Sequence, residues 1–280
     1  MDVVKPKKLT RTQVAELGHY EFMAYIGVPY FRWGGMESTD RLVSLCEIDS
    51  SKRVLVAGCG TGYSACHIAQ TIGCEVVGLD ISEMLIALAQ ERAEDMGLQD
   101  QVKFLVADAH DIPFDDDSFD VLLTESVVLF MDKERALLEF ARVVRPDGFV
   151  GLNEPFREDR MSADSEEKLD YAERILSENV GIPVSIPTRS EWGNYFLASG
   201  FQIIQMEKID LTLSSGQWTQ IVGRRGVAMI SLRALYHMIF SKSIRARLRR
   251  DDQLQKILFH EDTIDGSFGV VICVGRKEKL

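Results

Sequence analysis

Three glycines at alternate positions, Gly58, Gly60 and Gly62, directly follow an apolar run at residues 53–57. Glycine has no Cβ, so its backbone adopts positive φ readily and can approach a bound ligand closely. Ligands of open α/β sheets bind beyond the carboxyl ends of the strands. The spacing therefore predicts a glycine loop that lies against a bound ligand at the end of the first strand.

A carboxylate, Asp80, ends a second apolar run at residues 75–79. At that position a carboxylate can accept hydrogen bonds from both ribose hydroxyls of a nucleoside. Two frames of the glycine loop fit this feature: one that begins at Gly58, and a dinucleotide frame that begins at Gly60 and includes Ala65. The first frame fits the strand end directly, whereas the second begins two residues late and leaves a nicotinamide-dependent oxidoreductase as the alternative.

The elements that must position these groups alternate between apolar runs and helical patterns. Continuous apolar runs are typical of parallel strands covered on both faces, and strand–helix alternation implies right-handed crossovers. We therefore predict an α/β fold with a doubly wound, mostly parallel, seven-stranded sheet and a helical cap inserted before the last strand. The predicted strands lie at residues 53–57, 75–79, 102–106, 119–124, 148–153, 201–206 and 268–275.

The same patterns predict helices, and with them the organisation of the chain. Ser82 is the predicted N-cap of a helix at 83–96, and Gly97 closes it. An N-terminal lid is expected at 1–40, the sheet domain at 41–210 together with 267–280, and the cap at 211–266. The other predicted helices lie at residues 11–26, 40–46, 63–72, 132–144, 189–199 and 227–240.

Four motifs in order along the chain resemble the class I S-adenosylmethionine-dependent methyltransferases. They are VAGCGTG at 56–62, VVGLDIS at 76–82, VADAHDIPFDDDSFDVLLTES at 106–126 and RVVRPDGFV at 142–150. The resemblance covers about 53–155 and is nearest to the ubiquinone/menaquinone and sarcosine/dimethylglycine small-molecule groups, which have a glycine pair like Gly34–Gly35. It implies a Rossmann-like methyltransferase fold, S-adenosylmethionine as the cofactor and a small organic acceptor.

The resemblance also implies roles for individual residues. The glycine loop would pass under the amino-acid end of the cofactor, and Asp80 would hold the ribose. Asp108 would accept the adenine amino group, while Glu125 would face the methionine part and the acceptor. The full set of implied cofactor residues is Gly34, Gly58, Cys59, Gly60, Thr61, Gly62, Asp80, Ile81, Met84, Asp108, Ala109, Glu125 and Ser126.

Methyl transfer from a sulfonium is an in-line displacement with a neutral leaving group, so a base is needed only where the acceptor loses a proton. The candidates for such a base are His19, Tyr20, Glu125 and Glu154. The five cysteines and five histidines show no metal-ligand spacing, so we expect buried free thiols and no metal. A catalytically silent cofactor-binding protein remains a further alternative.

The net charge of −11 argues against a nucleic-acid partner, because an acidic surface repels phosphate backbones. Residues 211–250 nevertheless hold eight basic and no acidic side chains, and 227–240 is apolar except for Arg233. A helix this apolar is normally buried. Three interpretations stay open: a cap over the active site with a hydrophobic acceptor, peripheral membrane contact through 224–250, or a dimer contact there. Without a signal-peptide or spanning pattern we expect a cytoplasmic protein.

Overall fold

The computed structural model describes residues 9–31, 33–209, 215–259, 264 and 266–279, apart from the side chains of 215–221 and 259. The chain divides into two compact units. The larger unit comprises 32–159, 186–211 and 269–280, and the smaller unit comprises 1–31, 160–185 and 212–268. The predicted bounds of the lid and the cap stay predictions.

A single seven-stranded sheet confirms the predicted α/β fold. Its strands are β1 Arg53–Ala57, β2 Glu75–Asp80, β3 Val102–Val106, β4 Phe119–Glu125, β5 Val144–Arg157, β6 Phe201–Ile209 and β7 Phe268–Lys277. The spatial order is β3-β2-β1-β4-β5-β7-β6; β1 to β5 pair in parallel, whereas β6 and β7 pair antiparallel. A dinucleotide-binding sheet has the order 3-2-1-4-5-6, so this order disfavours the oxidoreductase alternative.

Helices connect the parallel strands and also build the smaller unit. In chain order they are α1 Arg11–Glu16, α2 His19–Ile26, α3 Gly35–Leu45, α4 Tyr63–Ile72, α5 Glu83–Asp95, α6 Lys133–Val143, α7 Ala163–Val180, α8 Arg189–Ala198, α9 Ser215–Phe240 and α10 Lys242–Phe259. A kink interrupts α9 at Gly223, whose φ of 68° and ψ of 170° are not helical. Ser82 caps α5 as predicted, since its hydroxyl accepts the N–H of Leu85 at 3.2 Å. The cap satisfies one of the N–H groups that a helix start leaves unpaired.

Both faces of the sheet are buried, which explains its continuously apolar strands. In β1, Leu55 and Ala57 belong to one core cluster, while Val54 and Val56 belong to the other. Successive side chains of a strand point to opposite faces, so helices must cover both sides. The resulting core holds the strand ends in fixed positions.

Several predicted helix and strand bounds were wrong for identifiable reasons. The helix at 11–26 is two helices, because Leu17 is extended and Gly18 is the N-cap of α2. The helix predicted at 40–46 begins at Gly35, directly after Gly34 in the left-handed region. The fifth strand extends well beyond 148–153, and α7 was not predicted at all. The many charged residues of α7 made its apolar residues difficult to recognise as a helical stripe. That stripe is buried and consists of Leu169, Ala172, Ile175 and Leu176.

The prediction that a helix at 227–240 is buried was wrong for one of its faces. Ile230 and His237 are buried, but six large side chains of α9 are 42% to 65% exposed. The cause is that α9 packs one stripe into the smaller unit's core cluster, which covers that stripe alone. No helix among the described residues is long and apolar enough to cross a membrane. The cytoplasmic location stays a prediction.

Candidate functional site

The parallel register brings the carboxyl ends of four strands to one edge of the sheet. Ala57 pairs with Leu79 on one side and with Thr124 on the other. Asp80 pairs with Val106 on the far side of β2. The glycine loop, Asp80, the segment 107–111 and Glu125 therefore follow adjacent strand ends in the larger unit.

The glycine loop follows β1, and its three glycines have φ of 69°, 53° and 75°. A Cβ on Gly58 would lie 2.4 Å from Cγ2 of Val127, and one on Gly62 would lie 2.7 Å from Cζ of Phe104. A Cβ on Gly60 would meet nothing within 4 Å. Gly58 and Gly62 are thus required for packing, whereas the backbone of Gly60 borders open space in which a ligand can approach.

The neighbours of the glycines in this loop are enclosed rather than exposed. Thr61 and Cys59 are both buried. The backbone N–H of Cys59 donates to the carbonyl of Leu79 at 2.8 Å, which ties the loop to β2. Burial raises the pKa of the Cys59 thiol well above its usual range, so this cysteine is a neutral packing group.

Asp80 connects the glycine loop to the next helix through both of its carboxylate oxygens. Oδ2 accepts the N–H of Gly60 at 2.9 Å, and Oδ1 accepts the N–H of Ser82 at 3.0 Å. These two N–H groups hold the carboxylate in one orientation at the end of β2. Ile81 is 75% exposed, and Met84 is half-buried. Together they offer an apolar surface beside the carboxylate.

Asp108 is an exposed carboxylate with a fixed orientation. Its Oδ1 accepts both the backbone N–H of His110 at 2.8 Å and Nδ1 of the same residue at 2.9 Å. The other ring nitrogen, Nε2, accepts the N–H of Asp132 at 3.1 Å, so Nδ1 carries the proton. These hydrogen bonds, that of the backbone first, lower the pKa of Asp108. Ala109 beside it is buried.

Glu125 ends β4 and is held by two hydroxyl groups. Thr39 donates to its Oε1 at 2.7 Å, and Ser64 at the start of α4 donates to its Oε2. Both hydroxyl-bearing residues are buried. Because the two hydroxyl groups donate to different oxygens, they fix the plane of the carboxylate. A positively charged ligand group would therefore meet a carboxylate with a defined orientation.

The residue after Glu125 adopts a strained conformation. Ser126 has φ of 61°, which few non-glycine residues adopt. Its N–H donates to the carbonyl of Asn153, and its Oγ accepts the N–H of Trp33 at 3.3 Å. Asn153 is fully buried and donates to the carbonyl of Trp33 at 2.8 Å. These bonds join the end of β4 to the turn that contains Gly34.

Glu154 supports the loop after β4 from inside the protein. It is fully buried and accepts the N–H groups of Val127 and Val128 at 2.8 Å and that of Leu129 at 3.3 Å. Burial raises its pKa to about 7 in spite of these donors. Both oxygens are used to position the loop whose Val127 packs against Gly58. Its hydrogen bonds therefore indicate a structural role rather than that of the predicted base.

The other two predicted bases, His19 and Tyr20, lie on α2 in the smaller unit, whereas Glu125 lies in the larger unit. The His19 side chain is 10% exposed, and its Nε2 is 3.9 Å from Oδ1 of Asp251. Burial first, and then Arg247 and Arg250, lower the pKa of His19 to about 4. His19 is consequently neutral near pH 7, and the catalytic roles of both residues stay predictions.

Four polar residues of this site were missed by sequence analysis: Thr39, Ser64, His110 and Asn153. Their types are common and they follow no spacing rule, so only the folded contacts identify them. All five cysteines are buried and free, as predicted. Within the described part of the chain, no three metal-ligating side chains are grouped closely enough to hold a metal ion.

Comparison with known families identifies the domain that contains the carboxyl ends of β1 to β4. Residues 55–152 match the family model described as a methyltransferase domain. The chain is 30% identical over 188 residues to the 27-O-demethylrifamycin SV methyltransferase of Amycolatopsis mediterranei, and the alignment covers 66% of each protein. Several other relatives named as methyltransferases are covered over only 29% to 47% of their own length.

Solved structures share the fold at low sequence identity. The cyclase SpnF superposes with a TM-score of 0.68 at 20% identity, over 98% of this chain and 97% of that one. Geranyl diphosphate C-methyltransferase from Streptomyces coelicolor A3(2) superposes with a TM-score of 0.61 at 15% identity, over 98% and 86%. The latter structure contains S-adenosyl-L-homocysteine and geranyl-S-thiolodiphosphate. At such identities the likeness establishes the fold alone.

The first two glycines of the loop, Gly58 and Gly60, have different neighbours, so their alanine variants are expected to differ in stability. Gly58→Ala and Gly60→Ala both cost about 1–2 kcal/mol for a left-handed alanine. Only Gly58→Ala also meets Val127, and overpacking adds about 1–3 kcal/mol. Urea unfolding should therefore show Gly58→Ala as the less stable variant by that additional amount. Equal stabilities would contradict the packing role of Gly58.

The raised pKa of Glu154 predicts a pH-dependent cost to stability. Between about pH 4.5 and about pH 7 the folded protein binds this proton more tightly than the unfolded chain, so stability falls as pH rises. A full shift of this size corresponds to about 3 kcal/mol. Glu154→Gln removes the titration and keeps an acceptor.

The measurement for Glu154 is the free energy of unfolding of wild type and Glu154→Gln at about pH 5 and about pH 8. Relative to the variant, the wild type should lose stability at the higher pH. Other carboxylates titrate equally in both proteins, so they cancel in this difference. A difference that does not change with pH would show that Glu154 is not held with a raised pKa.

Proposed function

This chain contains a class I S-adenosylmethionine-dependent methyltransferase domain, and we propose that it transfers a methyl group to a small organic acceptor. The methyltransferase resemblance predicted from the four motifs is confirmed by the family match over residues 55–152. Two structures of this fold that contain S-adenosylhomocysteine support the same cofactor class for this chain. The acceptor itself is a proposal.

One observation carries the proposal for the cofactor site: five groups that suit this cofactor lie at or directly after adjacent strand ends. Gly60 has open space beside its backbone, and Asp80 is a carboxylate held at the end of β2, the position from which a carboxylate binds a ribose. The exposed side chain of Ile81 suits the face of an adenine, and the fixed carboxylate of Asp108 suits its amino group. A fixed carboxylate at Glu125 suits the ammonium group of the methionine part.

S-adenosylmethionine supplies an electrophilic methyl group on a positively charged sulfur. This chain's residues then have to align the acceptor with that methyl group and exclude water. Alignment at a contact distance of about 3–3.5 Å is worth roughly 7–11 kcal/mol. A dry site also favours the reaction, because charge disperses in the transition state.

The need for a base depends on the acceptor, and we keep three candidates for it. Glu125 is a carboxylate at the same sheet edge as the predicted cofactor residues, with two hydroxyl donors that hold its orientation. His19 is neutral near pH 7, but its lowered pKa makes it a weaker base than an ordinary histidine; Tyr20 lies against it with ring centroids 5.0 Å apart. An acceptor without an acidic proton needs none of the three.

Relatives with methyltransferase names support a small organic molecule as the acceptor. They include enzymes named for phosphoethanolamine, for demethylrifamycin and for a sterol. The peripheral membrane or dimer contact through 224–250 is a separate proposal that does not depend on the acceptor. A second candidate function is that of a catalytically silent protein, which would bind the cofactor without transferring its methyl group. The fold is compatible with it, since SpnF, which shares the fold, is named as a [4+2]-cyclase.

Calorimetric titration with S-adenosylmethionine tests the cofactor site. We expect wild-type binding, and Asp80→Asn should weaken it roughly 10- to 100-fold through lost charge-assisted hydrogen bonds. Asp115→Asn, in an exposed acidic turn, is the matched control with unchanged affinity. NADH should not bind. An absence of S-adenosylmethionine binding, or equal affinities for wild type and Asp80→Asn, would refute the site.

A turnover measurement separates methyl transfer from silent binding. Formation of S-adenosylhomocysteine is followed with pools of small organic acceptors, including amines, phenols and prenyl compounds. Turnover with any pool supports the proposal. Tight cofactor binding without turnover in every pool would instead favour the second candidate function.

The fixed orientation of Asp108 predicts discrimination between purine rings. Wild type should bind S-adenosylhomocysteine at least roughly tenfold more tightly than S-inosylhomocysteine, because the inosine oxygen faces a carboxylate instead of donating to it. Asp108→Ala should abolish the preference, and His110→Ala should reduce it, since His110 orients the carboxylate. An unchanged preference in Asp108→Ala would show that the adenine lies elsewhere.

A further inference from the structure

An exposed apolar face lies on α9 in the smaller unit. It consists of six side chains that are 42% to 65% exposed: Met229, Leu232, Leu235, Tyr236, Ile239 and Phe240. Contiguous exposed apolar patches are uncommon on monomers and mark interaction surfaces. We call this set the α9 face.

The side chains of the α9 face are neighbours on the helix surface. Met229, Leu232, Tyr236 and Ile239 follow one another at intervals of three and four residues, which places them along one stripe. Leu235 adjoins that stripe, and the ring centroids of Tyr236 and Phe240 are 5.0 Å apart. The six side chains therefore form a single patch rather than scattered exposures.

The opposite side of α9 is anchored in the smaller unit, so the face has a fixed orientation. Ile230 packs in a core cluster with Phe22 and Ile26, and Arg233 donates to the carbonyl of Ile26 at 3.3 Å. His237 packs edge-on against Phe22, with ring centroids 6.0 Å apart. The exposed side chains therefore belong to a helix that is already packed on its other side.

Basic side chains border the α9 face at both ends and along one edge. Arg224 and Arg225 are exposed before it, and Lys242 is exposed after it. Arg11 donates to the hydroxyl of Tyr236 at 3.0 Å and lies 4.2 Å from the centroid of Phe240. Residues 211–250 contain no aspartate or glutamate, although the whole chain has a net charge of −11.

We propose that the α9 face docks on the surface of an anionic lipid bilayer. Apolar side chains that enter the headgroup boundary, with arginine and lysine beside them, are the features of helices that lie in the interface plane. The contact is one with the bilayer surface, and no described helix is long enough and apolar enough to cross the bilayer. The occupant is the lipid surface itself, and the proposal does not depend on methyl transfer.

Charge argues against a second copy of the chain as the occupant. A two-fold contact places the same patch opposite itself, which would bring the basic residues Arg224, Arg225 and Lys242 towards the basic residues of the other copy. Like charges in such a contact oppose association, whereas anionic headgroups neutralise them. The basic border is therefore complementary to a lipid surface and not to itself.

Vesicle cosedimentation with the full chain tests this proposal. We expect binding to phosphatidylcholine vesicles that contain phosphatidylglycerol, weaker binding in high salt, and little binding to phosphatidylcholine alone. Arg224→Ala combined with Arg225→Ala should weaken binding about 30-fold, from about 1 kcal/mol per basic residue at the surface and a factor of ten per 1.4 kcal/mol. Leu232→Ser combined with Ile239→Ser should weaken it at least roughly tenfold.

Matched controls separate the α9 face from general surface effects. Leu138→Ser combined with Leu197→Ser replaces two equally exposed leucines on α6 and α8, and Lys103→Ala combined with Arg174→Ala removes two exposed basic side chains elsewhere. Both controls should bind vesicles like wild type. All four variants should keep the wild-type circular dichroism spectrum and urea unfolding midpoint, which shows that they fold.

Three results would overturn the proposal. The first is no wild-type binding to anionic vesicles, and the second is binding that neither α9 variant weakens. The third is a wild-type dimer in light scattering that Leu232→Ser with Ile239→Ser dissociates, without any vesicle binding. That last result would identify a second copy as the occupant. None of these results bears on cofactor binding, so the proposed function is tested separately.

Discussion

The parallel register of β1, β2, β3 and β4 is the constraint on which the candidate site depends. It aligns the strand ends, so that a loop, two carboxylates and a fixed glutamate that are distant in sequence become neighbours in space. Burial on both faces of the sheet enforces this register, because a slip by one residue would exchange the two faces of each strand. The chemistry of the site is thus secured by apolar packing at a distance from it.

Polar side chains then fix the groups that the register has only brought near. Asp80 holds the backbone of Gly60, His110 holds Asp108, and Glu154 holds the loop after β4. Asp80 and Glu154 accept hydrogen bonds from backbone N–H groups, and His110 donates one to a carboxylate. The site is consequently prepared before a ligand arrives, which reduces the ordering cost that binding would otherwise include.

The sequence could predict those features of the site that depend on residues close together in the chain. The glycine spacing and the strand-terminal Asp80 each report a backbone requirement that is visible within a few residues. The hydroxyl donors of Glu125 are Thr39 and Ser64, which are 86 and 61 residues away, so no local pattern announces them. The exposure of α9 was mispredicted for a related reason: composition reports what a helix can bury, but only the neighbouring elements decide how much is covered.

The interleaved composition of the two units has a consequence for synthesis of the chain. The smaller unit needs residues up to 268, and the larger unit needs residues from 269 onwards, so neither is complete until the last tenth of this sequence has been made. At about 5–20 residues per second, the apolar N-terminal segment waits on the order of 10 s or more for its core partners on α9. During that interval the side chains of Phe22 and Ile26 lack those partners and expose apolar surface.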